Sequence, residues 1–283
     1  MKYHAPMRRR ARALRRAVQA AAQPAMWRGG RVIPAFWWDG HPNFGDDMTP
    51  WLLPHYGILP RYRRASEARL AGVGSILEFL PPSFDGAIWG SGLMTDVEHP
   101  LPDARVLAVR GPLTAERIGV KDTVPFGDAG LLMGRLLRRP KPRWEIGIVP
   151  HGHHRGHPLI AKLAREGGDR VRVVNVHQGA AAASREIAAC SIVLTSSLHG
   201  LVVADAFGIP AVWTVLEPAL HGGDFKFHDY EAGLTPGRSR FVAVDERFTL
   251  EGLRRHVTAV DAAAVRQVSS ELEGAILRYR TAR

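Results

Sequence analysis

Two hydroxyls and an imidazole follow directly on an apolar run in Thr195-Ser196-Ser197-Leu198-His199-Gly200. The run Ile192–Thr195 reads as a strand, and a helix should open at Leu198 with His199 in its first turn. Hydroxyls and backbone N–H groups at a helix start attract anions. Ser196, Ser197 and His199 are therefore a candidate anion-binding set, with His199 a proton donor once an anionic ligand arrives. The plainer alternative is a buried histidine held by a carbonyl. Lys226, in Phe225-Lys226-Phe227-His228-Asp229-Tyr230, adds a cation in an aromatic setting. Arg110 ends the apolar run Val106–Val109 just before Gly111-Pro112. A guanidinium there is placed to fork onto a carboxylate or phosphate, or else to pair at the surface with Glu116 or Asp128.

Acids and glycines follow the other apolar runs. Asn43-Phe44-Gly45-Asp46 comes after Val32–Trp38. Gly45 permits a tight turn, and Asp46 either caps the next helix or orients and deprotonates a hydroxyl. Asn43 would bind a neighbouring polar group. Gly72-Val73-Gly74-Ser75 and Gly90-Ser91-Gly92 are turns where bare backbone N–H groups, those of Gly90 and Ser91 included, can approach a ligand. Neither has the spacing of a P-loop or a dinucleotide fingerprint. Asp128 repeats the pattern of strand, glycine, acid and helix, and reads as a helix cap. His151, His153, His154 and His157 crowd one glycine-containing loop; a mobile loop over a cleft fits better than a metal cage, so no metal is expected.

These residues need a frame of strands alternating with helices. Strands are expected at Val32–Trp38, Arg69–Val73, Ala87–Trp89, Arg105–Val109, Thr123–Phe126, Glu145–Val149, Val171–Val176, Ile192–Thr195 and Ala211–Leu216. Helices fall between them at Asp46–Tyr56, Gly111–Ile118, Ala129–Leu137, Pro158–Glu166, Ala180–Ala189 and Leu198–Phe207. The alternation predicts an α/β fold of two Rossmann-like domains facing a cleft at the carboxyl ends of parallel strands. The boundaries are a basic segment over 1–31, a first domain over 32–140, a second over 144–248, and a C-terminal helix over 249–283 that packs back on the first domain.

The net charge of +11 is local. Residues 1–38 hold nine basic residues (Lys2, Arg8, Arg9, Arg10, Arg12, Arg15, Arg16, Arg28 and Arg31) and no acidic one. The other 245 residues carry 29 basic against 27 acidic side chains. Nucleic-acid binding is thereby disfavoured, because the body shows no charged face. At 100° per residue Arg8, Arg9, Arg12, Arg15 and Arg16 share one side of a helix, while Leu14, Ala17, Val18 and Ala21 lie roughly opposite. Such a head either touches an anionic inner leaflet or stays a solvated tail. No run reaches the roughly 18 apolar residues of a spanning helix. The single Cys190 excludes a disulfide framework and fits a reducing compartment. A cytoplasmic protein, peripheral at the inner membrane, is expected.

Taken in order, Asn43-Phe44-Gly45-Asp46, Gly90-Ser91-Gly92, Val109-Arg110-Gly111-Pro112, Gly127-Asp128, Val149-Pro150-His151, Ser196-Ser197-Leu198-His199-Gly200 and Lys226-Phe227-His228-Asp229 resemble the polysaccharide pyruvyltransferase family, especially its bacterial exopolysaccharide branch. The resemblance spans residues 36–230. It implies a two-domain fold similar to the GT-B architecture of nucleotide-sugar glycosyltransferases. It also implies phosphoenolpyruvate as co-substrate with no resident cofactor, and transfer of the pyruvyl group to two hydroxyls of one sugar as a ketal with release of phosphate. The acceptor would be a polysaccharide or its lipid-linked precursor. Arg110, Ser196, Ser197, His199, Lys226, Gly90 and Ser91 would lie on the donor side, Asn43, Asp46 and His151 on the acceptor side, with His199 and Asp46 catalytic. Many relatives carry an arginine where this chain has Ser197, which leaves the donor's charge to Arg110, Lys226 and the helix start. The competing functions are a nucleotide-sugar glycosyltransferase of the same architecture and a non-catalytic carbohydrate-binding protein.

Overall fold

The computed structural model describes residues 6–40, 43–120 and 122–282, with side chains from residue 13 onward. Lys2 and the side chains of Arg8, Arg9, Arg10 and Arg12 in the basic head lie outside the described residues. Helix α1 (Pro6–Ala21) and the single turn α2 (Pro24–Trp27) lead into the first strand.

The first sheet contains β1 (Arg31–Phe36), β2 (Ile58–Tyr62), β3 (Leu70–Ala71), β4 (Gly74–Ser75), β5 (Ala87–Gly92) and β6 (Arg105–Val109). Its order is β2-β1-β3-β5-β4 with β6 also on β5, and every pairing is parallel. Strands β3 and β4 form one interrupted lane, since β3 pairs with the start of β5 and β4 with its end. Helix α3 (Met48–Leu52) joins β1 to β2, and α4 (Pro112–Arg117) and α5 (Met133–Leu136) follow β6. Residues 137–143 then run to the second sheet. There β7 (Trp144–Val149), β8 (Val171–Val173), β9 (Cys190–Thr195) and β10 (Ala211–Trp213) pair in parallel in the order β10-β9-β7-β8. Between them lie α6 (Pro158–Gly167), α7 (Ala180–Ala188) and α8 (Leu198–Ala206), and after them α9 (Phe225–Leu234), α10 (Leu250–His256) and α11 (Ala262–Thr281).

The α/β alternation is as expected, with local differences that have physical reasons. Strand β2 escapes a hydropathy reading because Pro60 interrupts it; it is tolerated because β2 is an edge strand. Thr123–Phe126 contributes one bridge, Val109 to Phe126, because Pro125 has no N–H to continue a ladder. The expected strand over Ala87–Trp89 continues to Gly92, which puts Gly90 and Ser91 inside a strand rather than in a turn. Asp46 lies in the turn before α3, whose cap position is Asp47, so it caps no helix. The expected C-terminal helix is two, α10 and α11, each capped by an oxygen side chain, Thr249 onto the Gly252 N–H and Asp261 onto the Ala263 N–H.

Burial alternates along the strands as a pleat requires. Ala35, Leu70, Trp89 and Ala108 face a large apolar cluster, while their neighbours Phe36, Ala71, Ile88 and Val109 face a smaller one. The large cluster also takes Val149, Val193 and Trp213 from the second sheet, so one face of each sheet contributes to a common core. Helix α11 lies over the first sheet: the Trp89 indole N–H donates to the Leu272 carbonyl at 2.9 Å, and the Tyr279 hydroxyl to the Arg69 carbonyl at 2.9 Å. In both sheets the order reverses beside the first strand, at β1/β3 and at β7/β9. A crevice opens at such reversals beyond the carboxyl ends of the strands.

Candidate active site at the facing sheet edges

A cavity of about 220 Å³ fills that crevice. The first sheet lines it with Trp38, Asn43 and Asp46 after β1, Gly74 and Ser75 of β4, and Ile76, Phe79 and Met94. The second half lines it with His151 and His153 after β7, Ser197, Leu198 and His199 at the start of α8, and Leu220, His221 and Lys226. Of the expected site residues, Asn43, Asp46, His151, Ser197, His199 and Lys226 come together here. Gly90, Ser91, Ser196 and Arg110 do not line it.

The interruption between β3 and β4 makes room for Asp46. Gly74 has φ +120°, and a Cβ there would strike Asp46 Oδ1. Asp46 is buried, and burial pushes its carboxyl well above the usual range, reinforced by Asp47; a hydrogen bond from the Trp38 backbone opposes this, and Asp128 adds a further push upward. A carboxyl so placed can hold or accept a proton near neutral pH. Gly45 is required for a different reason from the one its sequence suggests: the imidazole of His199 lies against it where a Cβ would be.

His199 enters from the first turn of α8, whose cap residue Ser197 makes no side-chain cap bond. Thr195 fixes this turn, its hydroxyl bonded to the Val149 and Ser197 carbonyls at 2.8 Å and accepting from the Ser197 N–H at 2.9 Å. Behind the imidazole, Asp128 Oδ2 stands 3.4 Å from His199 Nε2, while Asp128 Oδ1 accepts from the Gly130 N–H. Asp128 is thus both the expected cap and the carboxylate that faces His199. Asp46 Oδ1, Asp128 Oδ2 and His199 Nε2 are buried with no hydrogen-bond partner among the described residues, which leaves each able to bond a ligand or an ordered water.

Lys226 sits in the first turn of α9, 6% exposed, and pairs with no carboxylate among the described residues. Burial, and secondarily the charge of Arg110, push its ammonium down to about 8. Arg110 itself departs from expectation. It is wholly buried, and its guanidinium donates to Asp229 Oδ2 (2.8 Å), Ser75 Oγ (2.8 Å), the Leu93 carbonyl (2.7 Å) and Thr114 Oγ1 (3.5 Å). With its charge met by Asp229 it fastens α9 to the first sheet and holds Ser75, a cavity wall, from behind. Asp229 also accepts from the Thr114 N–H and hydroxyl at the start of α4.

The remaining expectations resolve into structural tasks. Gly90 has φ +70° and packs on Ala129, and Ser91 is buried within β5, so neither backbone reaches the cavity. Ser196 Oγ accepts from the His151 N–H (3.1 Å) and bonds His154 Nδ1 (3.0 Å), which ties the histidine loop to β9. His157 caps α6 through the Leu159 N–H. The sequence reading missed Trp38, Phe79, Met94 and His221. Trp38 had a weak signal, since two adjacent tryptophans just past a strand turn to opposite sides and only Trp37 is taken into the large core.

The polysaccharide pyruvyl transferase family matches residues 79–216. The chain is 29% identical over 224 residues, 76% of its length and 69% of the relative's, to the succinoglycan biosynthesis protein ExoV of Rhizobium meliloti (strain 1021). It is 28% identical over 152 residues to the uncharacterized protein L143 of Acanthamoeba polyphaga mimivirus, covering 50% of this chain and 53% of that one. The matched span carries β5 to β10, Asp128, the histidine loop and His199 itself, and over that span the chain is similar to the polysaccharide pyruvyl transferase family.

Proposed function

We propose that the cavity binds phosphoenolpyruvate and transfers its pyruvyl group to two hydroxyls of a sugar, forming a ketal and releasing phosphate. The observation that carries this reading is the convergence of Lys226, His199 and Asp46, all at least nine-tenths buried, on one small cavity. A three-carbon ester bearing a carboxylate and a phosphate needs a cation and N–H donors in a place where water does not compete. Lys226 and the start of α8 supply them. The two lobes act as in the GT-B arrangement, one on each side of the bound donor.

His199 gives its proton to the methylene carbon of the donor, leaving a cationic carbon next to the phosphate oxygen. A sugar hydroxyl attacks that carbon while Asp46 takes its proton. The second hydroxyl then displaces phosphate: its proton returns to His199, and the leaving phosphate carries off the proton held by Asp46. One donor and two hydroxyls thus become one ketal and one phosphate, and both side chains are restored.

A lipid-linked acceptor and contact with an anionic inner leaflet complete the reading. A second cavity of about 450 Å³, lined by Arg15, Gln178 and Arg185, adjoins Asp47, the residue next to Asp46, and offers room for an anionic carrier group. Helix α1 is held to the body on the side of Arg16 and Ala20, while Leu14 and Val18 on the opposite side are 68% and 63% exposed.

The test is thermal stability with phosphoenolpyruvate or a nucleoside diphosphate. Phosphoenolpyruvate at saturation should raise Tm by several degrees, about 2–4 °C per kcal/mol of linkage, and Lys226→Gln should abolish the rise. His199→Ala should end phosphate release while leaving the unliganded Tm in place. Stabilisation by the nucleotide and none by phosphoenolpyruvate would establish the glycosyltransferase alternative instead.

A further inference from the structure

The two walls of the cavity differ in chemistry. The wall from the second half holds histidines, Ser197 and Lys226, whereas the first sheet contributes two aromatic rings beside Asn43 and Asp46. Trp38, two residues past the end of β1, stacks on Phe79 with ring centroids 5.3 Å apart and an interplanar angle of 27°. Phe36 meets Phe79 from within the fold, with centroids 6.2 Å apart at 67°. Phe79 is nonetheless 48% exposed, so a large part of the ring opens at the rim. The neighbouring Glu78 holds this rim in place, its Oε1 accepting from the Met94 and Thr95 N–H groups at 2.9 and 2.6 Å.

A supported aromatic ring lining the same cavity as a carboxyl with one oxygen unpartnered among the described residues suits one kind of molecule. The C–H bonds on the less polar face of a pyranose are weakly positive, and an aromatic face is negative. Its hydroxyls project sideways, toward a carboxyl or an amide. A flat anion gains little from such a wall.

We propose that Phe79, backed by Trp38, is the acceptor subsite, and that it selects a pyranose presenting a face of axial C–H bonds, with two hydroxyls turned toward Asp46 and Asn43. The proposal rests on the pyruvyl-transfer reading for which hydroxyls react, but the binding it describes is measurable without turnover.

Saturation-transfer NMR on the full chain provides the test, with methyl β-D-glucopyranoside, methyl β-D-galactopyranoside and methyl α-D-mannopyranoside as probes. At least one β-glycoside should receive saturation chiefly at the C–H protons of a single face. Phe79→Ala should abolish that signal and Phe79→Trp should retain it. In steady state Phe79→Ala should raise the acceptor KM about tenfold, the worth of one aromatic stacking contact, with kcat and the phosphoenolpyruvate KM within about twofold. Absence of saturation for all three sugars, or equal signals in Phe79→Ala and the parent, would overturn the subsite. A chain that binds the glycoside through Phe79 but is not stabilised by phosphoenolpyruvate would overturn the donor reading and leave the subsite intact.

Discussion

Lys226 carries a charge that is costly to keep in the folded protein and that the proposed reaction would set against a dianionic donor. An unfolded chain holds the proton on such an amine up to about 10.5, whereas the folded protein releases it at about 8. Between those values the unfolded state binds more protons, so this residue's contribution to stability rises with pH across the window. Donor affinity moves the other way, because the cation disappears above pH 8. The KM for phosphoenolpyruvate should climb toward about tenfold per pH unit above 8, and Lys226→Arg, which stays charged, should flatten the rise. A KM independent of pH from 7 to 9.5 would separate Lys226 from the donor. The places of His199 and Asp46 beside the cavity were legible in the sequence because strand ends and helix starts are local patterns, whereas Lys226 stood out only as a cation among aromatic side chains. The task of Arg110 was not legible, because its partner Asp229 lies 119 residues away and nothing near Arg110 announces it. Gly45 was legible as a necessary glycine but not for its reason, a ring delivered by a helix more than 150 residues later.

At the scale of elements, the site depends on α8 and α9 keeping their relative position, since one carries His199 and the other Lys226. A buried network joins them. Arg240 donates to Asp205 of α8 (2.5 Å) and Glu231 of α9 (2.9 Å), and the Tyr230 hydroxyl donates to Asp205 (2.8 Å). Removing one partner leaves a buried charge without compensation. Arg240→Ala should therefore lower the unfolding free energy by about 3–5 kcal/mol, whereas the exposed Arg165→Ala should change it by less than about 0.5 kcal/mol; urea titration measures both. The helices and strands around this network follow from the alternation of apolar runs. Strand β2 and helix α9 do not: Pro60 conceals the first, and in the second Lys226, Asp229 and Glu231 are charged yet buried. Polarity misleads where a buried charge is met by a partner outside its own element, as Asp229 is by Arg110 and Glu231 by Arg240.

For the whole molecule, α1 is the part with two masters. Arg16 binds Asp39 and Asp47 at 3.1 and 2.9 Å and lies over the Trp37 ring, while the opposite ridge of Leu14 and Val18 ends near Trp27, 78% exposed, whose indole donates to the Ala21 carbonyl. Among the described residues no helix is long and apolar enough to cross a bilayer. The ridge and its flanking arginines suit the surface of one. The protein should sediment with phosphatidylglycerol vesicles and not with phosphatidylcholine vesicles, and the double variant Leu14→Glu, Val18→Glu should stay in the supernatant. Equal sedimentation of variant and parent would remove α1 from membrane contact.

Helix α11 has an implication for how the chain comes into being. The back of the first sheet, Trp89 included, is closed by Leu272 and Ile276. On a ribosome adding about 5–20 residues per second, that surface stays uncovered for on the order of ten seconds after β6 has emerged. The half of the protein made first is thus among the last to be sealed, and chaperone dependence during synthesis should concentrate there.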